Sequence, residues 1–402
     1  MEVFMLPNAL IIGGGIAGPA TALALQKAGI DSVVYEAHSD VADGVGSFLT
    51  LGSNGIDALR VLDADRVLAA GFPTPQMHIV TAGGKVLGSV STGQTLPDGT
   101  TSRTMKRTDL YRGLRDEALR RGIRFEYGKR LVDAHESGHG VRAVFEDGSQ
   151  AEGAVLIGCD GIHSRVRYCI DSAAPRPGYV GLIGSGGYTS GVEIGGRPGD
   201  YRFVFGKRAF FGYATGPDDE VWWFANCPHP VEPARGAVLA DGDAAVRAYL
   251  TELFADDAGP ALPLIAGGRE ILPLTPIHYL PHLPRWHGDR MIVIGDAAHA
   301  PSPSSGQGAS LAVEDAVMLA KCLRDNATPR AAFEMFVATR RPRVERIIRQ
   351  AARINRNKAA GPLSRVFIRL FLPLILNRMA DGEQWRQTYD YHIDWAGQVY
   401  AS

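Results

Sequence analysis

Three carboxylates in this chain follow short apolar runs. Glu36 comes after Ser32–Tyr35, Asp160 after residues 154–158 and one cysteine, and Asp296 after residues 291–294 and Gly295. An acid at the C-terminal end of a buried strand stands where open α/β sheets take their ligands. The first of these acids follows a glycine-rich loop. The run Gly13-Gly14-Gly15-Ile16-Ala17-Gly18 follows the apolar residues 9–12, and Glu36 lies 18 residues beyond its last glycine. A strand, G-x-G-x-x-G, a helix, a second strand and an acid make a dinucleotide-binding unit. In such a unit Gly13 makes the tight turn and Gly15 lets a pyrophosphate reach the backbone. Gly18 lets the helix pack on the strand, and Glu36 binds the hydroxyls of a ribose.

Asp296 opens a different loop, Asp-Ala-Ala-His-Ala-Pro-Ser-Pro-Ser-Ser-Gly-Gln-Gly. Apolar and small residues then recur at Leu311, Val313, Ala316, Val317, Ala320 and Leu323, a helical spacing. The amides of residues 306–310 therefore sit at a helix N-terminus with nothing in the loop to cover them, and such an end stabilises negative charge. Read alone, the stretch is equally a plain βα turn with a serine cap.

The elements that must position these groups follow in chain order. A helix runs from the glycine loop to about Ala28 and stops at Gly29. Residues 44–55 read as a glycine-punctuated loop leading into a helix near 56–62. Residues 76–81 and 85–90, joined through Ala82-Gly83-Gly84, read as a β-hairpin, a short excursion into a second domain. Arg107 begins a helix with apolar spacing Leu110, Leu114, Ala118; by spacing alone it is a solvated arginine or a phosphate ligand. Residues 125–152 look like hairpin material turning at Asp147-Gly148. From 179 to 274 the texture is of short aromatic strands, 201–205, 209–213 and 221–225, forming an antiparallel sheet. Phe203, Tyr213, Trp222 and Phe224 are the aromatics that can wall a pocket for a flat ligand, although each taken singly reads as sheet core. The chain beyond 326 is mainly helical. Arg340, Arg341, Arg343, Arg346 and Arg349 read as a solvated basic helix face.

Bulk composition narrows the class. The 402 residues are 45% hydrophobic and 21% charged with a net charge of −1, which describes a globular protein of two or three domains without a nucleic-acid footprint. The four cysteines form no CxxC and no metal spacing, as in a reducing compartment. No signal peptide is apparent, and the apolar stretch 366–376, interrupted by Arg369 and Pro373, is too short to span a bilayer and reads as a packed helix. These features together suggest a cytoplasmic protein without a membrane span; the expected assembly is a monomer or a homodimer, between which composition does not choose.

In order and content these motifs resemble the single-component FAD-dependent aromatic hydroxylases of the p-hydroxybenzoate hydroxylase type, the group A flavoprotein monooxygenases. The likeness rests on the 13–18 loop with Glu36, on Cys159-Asp160-Gly161 with Ser164 and Arg167, and on Gly295-Asp296-Ala-Ala-His299 with Pro303 and Gly306-Gln307-Gly308. It implies an α/β fold: a Rossmann-like FAD domain of residues 1–72, 98–177 and 280–325, an antiparallel-sheet substrate domain of 73–97 and 178–279, and C-terminal helices over 326–402. The resemblance also implies cofactor contacts from Gly13, Gly15, Ile16, Ala17, Gly18, Glu36, Arg107, Asp160, Asp296, Pro303, Gly306, Gln307, Gly308 and Ala309. Pro303 would lie beside the reaction site, with no catalytic side chain required beyond the flavin.

As that family works, NADPH or NADH reduces FAD, O2 adds to the flavin, and the resulting C4a-hydroperoxide hydroxylates or epoxidises an aromatic or polycyclic small molecule. The chain holds no second glycine fingerprint, so the nicotinamide would dock transiently. A flavin halogenase would carry Trp-x-Trp-x-Ile-Pro, which is absent. A reductase of the same fold and a non-enzymatic binding protein remain as alternatives.

Overall fold

The computed structural model describes residues 9–39, 47–234, 242–280, 282–358 and 383–399. Residues 44–46 of the glycine-punctuated loop and the apolar stretch 366–376 lie outside them.

Four-residue apolar runs too short for helices form the centre of the molecule. A five-stranded sheet has the order Met291–Val293, Val155–Gly158, Ala9–Ile12, Ser32–Tyr35, Arg124–Glu126, all parallel. Ile11 lies between Ile157 and Val34 in register, and Leu10, Ile11, Ile157 and Ile292 are buried, as strands covered on both faces must be. The helices Ala17–Lys27 and Gly308–Asp325 pack there through Ala20, Leu23, Ala24, Val313, Ala316 and Val317. Gly29, with φ +75°, ends the first of them at the expected place. Residues Leu131–Glu136, Val141–Phe145 and Gln150–Gly153 form a three-stranded antiparallel sheet that turns at Gly148. Phe125 and Glu126, read as the start of that hairpin, instead belong to the edge strand Arg124–Glu126 of the parallel sheet.

The second layer is a large, mainly antiparallel sheet. Its order is Gly268–Ile271, Gly178–Thr189, Val221–Pro228, Phe210–Thr215, Tyr201–Phe205, Gln76–Thr81, Val86–Ser91, with Thr275–Tyr279 also paired to Gly178–Thr189. The hairpin of residues 76–91 thus joins strands more than a hundred residues later, through a parallel pairing with Tyr201–Phe205. Helices Gly242–Phe254 and Ala261–Gly267 cover one face of this sheet through Val246, Leu250, Phe254, Leu264 and Ile265.

Between the layers lies a small sheet of Phe48–Leu51, Phe72–Pro73 and Arg103–Lys106. Residues 48–51, expected as loop, form a strand here. Their strand partner lies some fifty residues away, and flanking glycines hide the pattern.

The solvated reading of the late arginines is corrected at two positions, while Arg346 and Arg349 are exposed. Helix Pro329–Lys358 turns Arg340 and Arg343 inward, and both are buried against Glu314 and Asp315. Charge alone cannot distinguish a solvated arginine from one facing acids on another element. Among the described residues, no helix is long and apolar enough to cross a membrane.

Candidate active site

All three strand-end acids emerge at one edge of the parallel sheet. Gly13 leaves the first strand with φ +102°, and a Cβ there would stand 2.5 Å from the Cys159 carbonyl oxygen, so both backbone angle and space require glycine. A Cβ on Gly18 would overlap the Gly13 carbonyl. Gly15 differs: it is exposed, and no atom lies within 4 Å of where its Cβ would be. Ile16 and Ala17 lead the chain into the Ala17–Lys27 helix, whose first turn no side chain caps. Glu36 accepts from the Gly14 amide at 2.6 Å and the His38 amide at 2.9 Å, which holds its carboxylate against the glycine loop.

On the neighbouring strand, Asp160 Oδ2 accepts from the Arg165 and Val166 amides at 2.6 and 3.1 Å. Its Oδ1 is buried with no hydrogen-bond partner. Burial raises the Asp160 pKa against the hydrogen bonds that would lower it. Ser164 caps the following helix by accepting from the Arg167 amide at 3.0 Å. The buried Arg167 then donates to the Ala297 and Ile162 carbonyls at 3.0 and 2.8 Å, tying the Asp160 loop to the Asp296 loop.

Asp296 begins a one-turn helix, Asp296–His299, absent from the sequence reading. Gly295 before it has φ +56°, and a Cβ there would stand 3.4 Å from the Ala17 side chain and 3.5 Å from that of Ala312, near the starts of the two long helices. A Cβ on Gly308 would be 3.8 Å from Asp296 Oδ1, so this carboxylate faces the start of the Gly308–Asp325 helix. Burial raises the Asp296 pKa, while the charges of Arg107 and His299 oppose the shift. Arg107, first residue of the Arg107–Arg120 helix, is therefore close enough to act on the site. Pro303–Ser305 makes a single tight turn closed by the Gly306 amide donating to the Pro303 carbonyl at 3.0 Å. Gly306 has φ +61°; Gln307, Gly308 and Ala309 then enter a helix with no side-chain cap. The Gln307 side chain is turned away and accepts from Asn54 Nδ2 at 2.9 Å.

Behind this edge lies a network that sequence reasoning missed. Asp315 Oδ2 accepts from the Gly295 amide at 2.9 Å and meets His299 Nε2 at 2.5 Å, while Oδ1 accepts from Arg340 Nε at 2.7 Å. Glu314 takes Arg343 through both oxygens at 2.8 Å each, Arg340 at 2.6 Å and Asn54 at 2.6 Å. The available signal was the acidic pair Glu314-Asp315 inside the otherwise apolar run 311–320.

The large sheet supplies the other wall. Strand register places Tyr201, Ala214 and Trp222 abreast, and Phe203, Gly212 and Phe224 abreast, so Phe203, Trp222 and Phe224 share a face. Gly212 has no side chain because the Phe224 ring occupies the space where its Cβ would stand. Phe48, from the small middle sheet, meets Tyr201, Trp222 and Phe224 with ring centroids 6.1, 5.9 and 5.9 Å away. Phe48, Tyr188, Phe203 and Phe224 remain only partly buried, which leaves this aromatic face partly open.

Tyr213 does not belong with them. It pairs with Trp223 and Arg202 in register, and lies on the opposite face in the cluster with Phe211 and Phe254. Its place in the sequence gives its parity within the strand only once the strand start, Phe210 rather than Ala209, is known.

An open glycine flank, an orphaned buried carboxylate oxygen and an uncapped helix start facing a second carboxylate fit one extended ligand. That ligand would carry a pyrophosphate at one end and an electron-accepting ring at the other. The described cysteines are all free, and no group of them with His, Asp or Glu has the arrangement of a metal site.

A family model described as an FAD binding domain matches residues 7–188 and 282–351. The FAD-dependent urate hydroxylase of Klebsiella pneumoniae subsp. pneumoniae is 31% identical over 86% of this chain and 88% of its own. The 6-hydroxynicotinate 3-monooxygenase of Bordetella bronchiseptica is 28% identical over 85% and 90%. Among solved structures, Klebsiella pneumoniae HpxO complexed with FAD and uric acid superposes with a TM-score of 0.84 at 26% identity, covering 96% of this chain and 99% of that one.

Proposed function

Because this chain belongs to the FAD-binding-domain family and is an FAD-dependent monooxygenase, we propose that it oxygenates a flat, electron-rich aromatic or polycyclic small molecule held against the Phe48, Phe203, Trp222 and Phe224 face. The observation that carries this reading is the parity of the strands. It puts Phe203, Trp222 and Phe224 on one partly open face, where Phe48 from the small middle sheet meets the last two. Aromatic rings stack edge-to-face or offset, so such walls orient a planar substrate.

In this reading Gly13, Gly15, Ile16, Ala17 and Gly18 receive the pyrophosphate of FAD, and Glu36 binds its adenosine ribose. Asp160 offers its unpaired oxygen, and Asp296 and Arg107 hold the ribityl chain. Gly306, Gln307, Gly308 and Ala309 present amides to the ring, with Pro303 at its edge. Bound FAD supplies the redox chemistry, taking electrons from NADH or NADPH and passing them to O2. The protein's part is electrostatic and positional. The uncapped start of the Gly308–Asp325 helix favours negative charge on the ring it faces, and the aromatic walls exclude water.

Residues 1–72, 98–177 and 280–325 would form the cofactor domain, with 73–97 and 178–279 forming the substrate domain and 326–402 a C-terminal helical region. The nicotinamide would dock transiently. Free cysteines suit the cytoplasm, where the chain would act as a monomer or homodimer.

The test is NAD(P)H oxidation against a panel of phenols, indoles and polycyclic aromatics under 18O2, with product mass. Incorporation of one labelled oxygen supports the reading. Substrate-dependent turnover that persists without oxygen would make the enzyme a reductase instead.

A further inference from the structure

A basic side chain, Lys106, enters the aromatic wall. Lys106 is the last residue of Arg103–Lys106 and stands directly opposite Phe48 in the antiparallel register. Residues paired in this way share a face, so Lys106 projects with Phe48 toward the large sheet. Its Nζ lies 4.4 Å from the Tyr188 ring centroid and 5.4 Å from that of Trp222. The nearest carboxylate, Glu220, is 3.7 Å away and is also bound by Trp222 Nε1 at 2.7 Å. Lys106 and Glu220 are 37% and 30% exposed, so the pair is open to a ligand. A contact at 3.7 Å with a carboxylate held by an indole leaves ammonium protons for another acceptor.

Resting on the aromatic-substrate reading above, we propose that Lys106 is a specificity-determining residue that selects aromatic substrates bearing an acidic oxygen, a carboxylate or a phenolate. The ring lies against Phe48, Trp222 and Phe224, and the anion takes the ammonium in competition with Glu220. Two rings beside the ammonium hold it in place without neutralising it. One carboxylate already faces it, so removing that carboxylate strengthens the anion's hold. This gives the proposal two effects of opposite sign.

The experiment uses the FAD-loaded protein and a matched pair of flat ligands, 2-naphthoate and its uncharged amide, 2-naphthamide. Binding is read by quenching of tryptophan fluorescence and, independently, by perturbation of the bound flavin spectrum. Wild type binds the naphthoate more tightly. Lys106→Met keeps the aliphatic stem on Tyr188, binds naphthamide unchanged and loses about tenfold toward naphthoate, the effect of one charge-assisted hydrogen bond. Lys106→Arg keeps the preference, and Glu220→Gln, which still accepts from Trp222, increases it. FAD retention is the same in all four proteins. If wild type and Lys106→Met bind the two ligands with the same ratio, or if Glu220→Gln weakens the naphthoate, the assignment of Lys106 is overturned while the aromatic pocket stands. If neither ligand binds wild type, the pocket reading itself fails and Lys106 falls with it.

Discussion

Asp315 and Arg340, 25 residues apart on successive helices, meet at 2.7 Å with neither side chain exposed to solvent. The same carboxylate holds the Gly295 amide and His299, so the ion pair supports the turn that aims Asp296. Burial by itself would raise the Asp315 pKa. The charges of His299 and Arg340 outweigh it and bring the group from 3.8 down to about 2.

Removing Arg340 takes one cation from each of two buried carboxylates, leaving Glu314 to Arg343 and Asp315 to His299. Arg340→Ala is expected to lose about 3–5 kcal/mol of stability, seen as a large fall in Tm at pH 7. Because Asp315 is depressed in the folded state, its contribution is complete above pH 3.8 and disappears as the pH falls toward about 2. Wild type should therefore lose stability steeply across that window, and Asp315→Asn should flatten the slope. An unchanged slope would mean that Asp315 does not hold its charge in the fold.

The two ends of the glycine loop predict different failures. At Gly18 a methyl group would overlap the Gly13 carbonyl, so Gly18→Ala lowers Tm with or without cofactor. At Gly15 the methyl meets no protein atom within 4 Å. Gly15→Ala should leave the apoprotein's Tm unchanged and raise the Kd for FAD. Equal effects from both variants would separate Gly15 from the cofactor.

Asp296 is expected to trade stability for binding. Burial raises its folded pKa above 3.8, so the ionised group opposes folding at every pH above that value and the opposition fades in acid. Asp296→Asn should therefore raise the apoprotein's Tm at pH 7 while weakening FAD about tenfold, through loss of a charge-assisted hydrogen bond. Differential scanning of the apoprotein and a flavin fluorescence titration measure the two halves separately.

Opposite faces of one sheet give the fourth test. Phe224→Ala opens the aromatic wall and should raise the KM of an aromatic substrate. Tyr213→Phe, on the helix-covered face, should leave KM unaltered. A KM effect from Tyr213 would return it to the pocket.

What could be read from residues alone was local. The glycine loop with Glu36, the two Asp-bearing strand ends, the helix after Gly308 and the aromatic strands are each signalled within about thirty consecutive residues, because strand ends and helix starts impose their own residue types. Tertiary structure decided everything that depends on partners far away in the chain. Phe48–Leu51 became a strand only by pairing with Arg103–Lys106, and Tyr213 left the pocket through register with Trp223. Arg340 and Arg343 turned inward because Glu314 and Asp315 wait on another helix. A charge or a ring carries no mark of which face it will occupy; burial and register assign that, and both belong to the assembled fold.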